Sequence, residues 1–261
     1  FTLNTDWFRV EKIDSFTYAI SEYGHWERVH SFLLMGSETA LLIDTGLGIG
    51  NIKKVVDRLT VLPVKVFTTH YHWDHIGGHK YFDFIAVHTN EKKWMESGIP
   101  IPLSVIKQNI MKEPFSITPP EDFNIEKYKI YTGKPSKIID TDEIIDLGKR
   151  KIKILHTPGH SPGHLVFFDC KTKVLFTGDL FYKGTIYVNY PSTDPYKYCE
   201  SLEKITTTLS GLKRIFPSHN KLNIPLEDFL SFVKFVLTNR EKGKIQHGAG
   251  ILKYNEYSLF L

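Results

Sequence analysis

Between residues 70 and 75 the chain reads His-Tyr-His-Trp-Asp-His, four potential metal ligands in six positions, with Gly77-Gly78 just beyond. No other stretch restricts the fold so tightly. Three imidazoles and a carboxylate are costly to bury together unless a cation or a full set of partners satisfies them. The preceding residues 64–69 are apolar and rich in β-branched side chains, which predicts a strand and puts the cluster at a strand end. Alternate side chains of an extended segment share a face, so His70 and His72 converge on one ion while a turn carries Asp74 and His75 toward a second.

Two imidazoles do not complete a zinc site, which takes three protein ligands and keeps a fourth position for water or substrate. His160 is the natural third. It stands in His156-Thr157-Pro158-Gly159-His160-Ser161-Pro162-Gly163-His164, where Pro and Gly set a turn after a predicted strand. Asp179 closes Thr177-Gly178-Asp179 at the end of another strand, and its two oxygens suit a bridge between ions. His219, in Pro217-Ser218-His219, completes the second set. Each sits at a strand end beside a turn, where sheet proteins place active sites. His79, His88, His156 and His164 read as hydrogen-bond partners of loops or ligands, Asp44 as a brace for the histidine loop, and Trp73 as packing.

The length, 261 residues, predicts one domain spanning 1–261. Short apolar runs at residues 7–13, 16–21, 31–35 and 40–44 predict an antiparallel sheet. Asn51 predicts the cap of a helix to about Leu59, with Ile52, Val55, Val56 and Leu59 on one face. From about 91 to 135 the pattern is interrupted by prolines, which predicts a partly helical insertion near the active-site mouth. Its residues 95–115 are expected to form a partly mobile wall over the metals that selects an apolar acyl chain. Strands resume at 143–147, 151–156, 164–169 and 174–177. Thr193-Asp194-Pro195 opens a helix, a strand follows at 214–216, then a helix at 225–241 and terminal strands at 251–261.

Composition narrows the function. Charged residues are 24% and hydrophobic ones 41%, an ordinary globular balance. The net charge of +4 is scattered without a basic stripe or arm, so nucleic acid is not an expected partner. No apolar run reaches a membrane span. Cys170 and Cys199 lack CxxC spacing and read as idle thiols. A cytoplasmic location is expected, as no signal-peptide pattern opens the chain; it starts at Phe1 rather than Met, so trimming or processing fits as well.

The segments at 70–78, 157–164, 177–179 and 217–219, with Asp44-Thr45-Gly46, resemble the successive motifs of the metallo-β-lactamase superfamily over roughly residues 30–220. The resemblance implies an α+β fold, a four-layer αββα sandwich, and two Zn2+ ions per chain, with iron or manganese as alternatives. It assigns His70, His72 and His160 to site 1, Asp74, His75 and His219 to site 2, and Asp179 to the bridge. True β-lactamases of this fold generally lack that bridging aspartate. Thr177-Gly178-Asp179-Leu180-Phe181 and the His-Thr-Pro-Gly-His run are closer to glyoxalase II-like thioesterases. Those carry a further glutathione-binding helical domain, whereas roughly 40 residues follow His219 here, so a glutathione thioester is not the expected substrate. Tyr182, three residues past Asp179, matches a tyrosine of acyl-homoserine lactonases.

Chemically, two such ions share a water, lower its pKa to about 7 and supply a bridging hydroxide for attack on an acyl carbon. Asp74 or Asp179 then passes a proton to the leaving group, with Tyr182 as donor to the oxyanion. The predicted activity is hydrolysis of an ester, thioester or lactone of a small acyl substrate, by a monomer or a homodimer. The alternatives are a phosphodiesterase or nuclease, a β-lactam hydrolase and, last, a non-enzymatic metal-binding module.

Overall fold

In a computed structural model, residues 2–4 and 7–261 are described. The chain forms two compact units, one running to Ile139 and taking in Leu147–Lys149, the other made of Asp140–Asp146 and Arg150–Leu261.

The first unit is built on an eight-stranded sheet whose strands follow chain order: β1 (Thr2–Asn4), β2 (Arg9–Asp14), β3 (Thr17–Ser21), β4 (His30–Met35), β5 (Ala40–Ile43), β6 (Val64–Phe67), β7 (Ile85–His88) and β8 (Lys137–Ile139). The expected antiparallel pairing holds from β1 to β5. From β5 onward, where the sequence predicts no pairing, the neighbours are parallel. Parallel neighbours need a crossover, and helix α1 (Ile52–Leu59) supplies the first. Asn51 caps it through its side chain on the Lys53 N–H, and Ile52, Val55 and Val56 are buried. Strands β7 and β8, of four and three residues, are too short to carry a readable period.

The proline-interrupted segment is helical in part, with α2 (Lys92–Ser97) and α3 (Leu103–Ile110). Its anchors are deep in this unit: Met95, Ile106 and Ile110 belong to the same apolar core as Leu33, Val56 and Ile85. The Trp26 indole donates to the Asn109 carbonyl and a His25 ring nitrogen meets that of Ile110, tying down the end of α3. The segment is therefore a packed part of the unit, while Leu103, Val105 and Met111 face solvent.

In the second unit the elements are β9 (Glu143–Asp146), β10 (Lys151–His156), β11 (Leu165–Asp169), β12 (Val174–Gly178), β13 (Gly184–Tyr187), α4 (Pro195–Thr208), β14 (Arg214–Pro217), β15 (Ile224–Pro225), α5 (Leu226–Glu241), β16 (Ile251–Tyr254) and β17 (Tyr257–Phe260). Six of them form one sheet in the order β15-β14-β12-β11-β10-β9, and β13-β17-β16 form a small second one. Strands β12 and β14 run parallel, joined by α4. Asp194 caps that helix on the N–H groups of Tyr196 and Lys197, with Pro195 in its first turn. Phe181, Tyr198, Leu202, Phe229 and Phe232 fill the unit's apolar core. The pairing of β12 with β14 shifts register between Phe176 and Gly178, an irregularity that re-aims the chain just before Asp179.

Candidate metal centre

Residues 70–75 leave the carboxyl end of β6 in the first unit. His70 sits with its ring centroid 4.5 Å from that of His72 and 4.1 Å from that of His75. His70 and His72 each offer a ligand atom within 4.8 Å of the other's, as do Asp74 and His75. The His75 Nε2 lies 3.4 Å from Asp74 Oδ2. His72 stacks on Trp94 of α2, centroids 6.1 Å apart, while Trp73 turns into the core.

The loop is held by close backbone packing. Thr45 N–H donates to the His75 carbonyl and Gly77 N–H to that of Gly46. A Cβ on Gly77 would lie 2.2 Å from the carbonyl carbon of Leu47, so no side chain fits there. Asp44, in left-handed backbone at φ 59° and fully buried, accepts from Thr69 N–H (2.7 Å), Thr69 Oγ1 (2.7 Å) and His75 Nδ1 (2.8 Å). Burial pushes its carboxyl above the usual carboxylate range, against the pull of His75 and of the Thr69 donors. Asp44 is the expected brace of the histidine loop.

These contacts select tautomers, assigned here from hydrogen-bond partners. His75 gives its Nδ1–H to Asp44, which leaves Nε2 as the lone-pair nitrogen. Thr69 has one hydroxyl proton and Asp44 takes it, so at 3.0 Å its oxygen accepts from His70 Nδ1. His70 likewise keeps its lone pair on Nε2, the form in which imidazole binds a metal.

In the second unit Asp179 follows β12 and lies between two imidazoles. The His219 Nε2 is 3.1 and 3.2 Å from its two oxygens, and the His160 Nε2 is 3.6 Å from Oδ2. All three side chains are buried. His160 donates Nδ1–H to the Tyr187 carbonyl (2.9 Å), which again leaves Nε2 with the lone pair. The backbone N–H of Asp179 donates to His164 Nε2 (3.2 Å), whose Nδ1 meets Thr157 Oγ1. The turn carrying His160 packs tightly on α4: Gly159 has φ 141°, and a Cβ there would lie 2.4 Å from the Tyr198 Cα.

The four histidines expected to serve loops do so. His79 bridges the hydroxyls of Thr45 and Thr68, and burial lowers it to about 3, with His75 adding to the fall. His88 accepts from Asn90 N–H, and His156 meets the Pro162 carbonyl. Tyr182, expected as oxyanion donor, lies beside His219. Its hydroxyl donates to the Thr185 carbonyl at 2.5 Å, and its ring lies 5.0 Å from that of His219.

Two buried carboxylates went unread in the sequence. Glu91 accepts from the Tyr71 N–H at 2.6 Å, between His70 and His72. Glu22 accepts from the Trp7 indole (2.6 Å) and from Leu47 N–H (2.8 Å), under the turn that faces Gly77. Burial pushes Glu22 up to about 7 against those two donors, and the charge of Asp74 adds to the rise. Neither lies in a motif, and each looks in the sequence like an ordinary surface acid; only a long-range pairing brings it to the loop.

Comparison with known proteins shows the family and the fold. The sequence model of the Metallo-beta-lactamase superfamily matches residues 25–226. The acyl-coenzyme A thioesterase MBLAC2 of Gallus gallus is 26% identical over 228 residues, covering 82% of this chain and 81% of that protein. The hydroxyacylglutathione hydrolase GloC of Haemophilus influenzae is 27% identical over 157 residues, covering 57% and 64%. Among solved structures, a metallo-beta-lactamase from Pontibacter korlensis superposes with a TM-score of 0.63 at 18% identity, over 88% of this chain and 99% of that one. A metallo-beta-lactamase superfamily protein from Sulfolobus tokodaii gives 0.58 at 22%, over 85% and 84%. The αββα fold expected from the motifs is the fold these structures share.

Proposed function

We propose that this chain, which belongs to the metallo-beta-lactamase superfamily, is a two-metal hydrolase of acyl thioesters. The observation that carries the reading is the set of pinned tautomers. His70, His75 and His160 each commit Nδ1–H to an oxygen, and the Nε2 atoms of His75 and His160 lie beside Asp74 and Asp179. That donor set suits a divalent cation, and zinc above all.

In this reading His70, His72 and His160 would hold one ion and Asp74, His75 and His219 the other, with Asp179 available to both. When bound, the ions supply Lewis acidity, polarising the acyl carbonyl and bringing the pKa of water to about 7. The chain's own groups do the remainder. Asp44 and Thr69 keep two imidazoles in the ligand tautomer, and His164 fixes the backbone of Asp179. Asp74 or Asp179 carries the proton to the leaving sulfur. Tyr182, with its hydroxyl on Thr185, steadies the His219 ring. Cys199, buried in the apolar core of the second unit with its thiol pushed up to about 11, is not a nucleophile.

The thioester is favoured over other acyl bonds because relatives aligned over most of the chain are named acyl-coenzyme A thioesterases. The test is kcat/KM of the metal-loaded protein on matched acyl-coenzyme A, acyl ester, lactone, phosphodiester and β-lactam substrates. Thioesters should lead by tenfold or more, and a chelator should abolish their turnover. Phosphodiester or β-lactam hydrolysis without thioester hydrolysis would refute the reading.

A further inference from the structure

The first unit contains an open cavity of about 450 Å³, within the range of small-molecule sites. One side is Gly48, Ile49, Asn51 and the turn at Lys80-Tyr81; the other is residues 122–124 and 127–132. Three lysines, Lys80, Lys127 and Lys129, line it against one acid, Asp122. Among the described residues none of the three lysines makes an ion pair; the Lys80 ammonium rests 5.0 Å from the centroid of the Tyr81 ring. Elsewhere exposed lysines do find carboxylates, as Lys53 does with Asp57 and Lys204 with Asp142. Unneutralised ammonium groups around one concavity draw anions into it.

The wall is also aromatic. Tyr81, Phe123 and Tyr131 are half-buried there, rigid faces on which a flat heterocycle can stack. Lysines plus ring faces fit a ligand that carries several negative charges and a base. The cavity is fastened to the metal loop within the same unit. The Tyr131 carbonyl accepts the hydroxyl of Tyr71, which stands between His70 and His72. Gly48 packs on Gly77, where an added Cβ would meet the Gly77 oxygen at 2.6 Å. The Tyr128 hydroxyl, donating to the Leu47 carbonyl, closes the far wall onto the same turn.

We propose that this cavity binds the phosphorylated adenosine end of a coenzyme A thioester, so that substrate is selected by its carrier as well as by its acyl group. The proposal rests on the thioesterase reading. Esters and lactones have no such end, and glutathione carries charge but no base.

Two measurements separate this proposal from the reading beneath it. The first compares an acyl-coenzyme A with the same acyl group on N-acetylcysteamine, which keeps the thioester and lacks the nucleotide. For Lys80→Glu/Lys127→Glu/Lys129→Glu, three exposed positions, the ratio of kcat/KM between the two substrates should fall at least tenfold, through a raised KM for acyl-coenzyme A. The second is equilibrium binding of adenosine 3′,5′-bisphosphate and of adenosine to the metal-loaded protein. The bisphosphate should bind, weaken as salt rises and be lost in the triple variant, while adenosine should not bind. An unchanged substrate ratio, or bisphosphate binding that is absent or equal in both proteins, overturns the proposal. If the wild type cleaves neither thioester, the thioesterase reading fails, and the bisphosphate titration alone decides whether the cavity is a nucleotide site.

Discussion

Asp44 is the residue through which a single atom change should separate metal binding from folding. Its carboxylate accepts three hydrogen bonds of 2.7–2.8 Å in a fully buried setting. Asp44→Ala strands three donors, each worth about 1–3 kcal/mol when left unsatisfied, and puts alanine in left-handed backbone at a further cost of about 1 kcal/mol. The sum, about 4–7 kcal/mol allowing for relaxation, is comparable to the whole stability of many domains, so that variant should fold poorly. Asp44→Asn keeps the volume and tolerates the backbone. Its oxygen can still accept from Thr69 N–H, but its amide N–H groups now face Thr69 Oγ1 and His75 Nδ1. His75 Nδ1 must then accept and its Nε2 carries the proton. The Thr69 hydroxyl proton, displaced, turns to His70 Nδ1 with the same result.

Asp44→Asn should therefore cost only about 1–2 kcal/mol in the metal-free protein yet weaken zinc binding by 10- to 100-fold, the usual effect of losing a partner that orients a ligand imidazole. Urea unfolding of the metal-free proteins and zinc competition against a chromophoric chelator give the two numbers. Wild-type zinc affinity in a folded Asp44→Asn protein would refute the tautomer argument.

Asp179→Asn should reduce thioester turnover at least about 100-fold while thermal unfolding stays cooperative; near-normal kcat in a zinc-loaded variant would remove the bridging role. Ile106→Ser and Ile110→Ser should each lower stability by about 3–5 kcal/mol, because both side chains lie in the core of the first unit, and urea unfolding measures it; a change in acyl-chain preference at unchanged stability would restore the mobile wall. His79, held at about 3 when folded against 6.5 unfolded, contributes stability that is present above pH 6.5 and lost as pH falls toward 3. Glu22, at about 7 against 4.5, contributes stability that is full below pH 4.5 and lost as pH rises through 7, so the two oppose between 4.5 and 6.5. Below pH 4.5 the slope belongs to His79 alone of this pair, and His79→Gln in the metal-free protein should flatten it by about one proton; an unaltered slope contradicts the burial argument.

Much of the site was legible because its chemistry is local. His70, His72, Asp74 and His75 announce themselves by crowding, and His160, Asp179 and His219 by strand-then-turn context. Capped helices were equally readable: Asn51 and Asp194 both stand where their side chains satisfy the first N–H groups. What stayed hidden depends on partners far along the chain. Glu91 and Glu22 become braces only when β7 and β3 carry them under the loop, and nothing near them in sequence encodes the Tyr71 or Leu47 amide. The parallel half of the first sheet was hidden for a related reason, since β7 and β8 are short apolar runs whose direction is set by their crossovers. Tyr182 was read from position alone, and the Thr185 carbonyl that takes its hydroxyl proton shows only in the structure.

The central claim is that the chain works as a two-metal hydrolase. Zinc should be added stepwise to the metal-free protein while bound metal and acyl-coenzyme A hydrolysis are followed together. Activity is predicted to appear with metal and to reach its plateau at two equivalents per chain, with no further binding of comparable strength. A plateau at one equivalent, or thioester hydrolysis undiminished in the metal-free protein, would contradict the account.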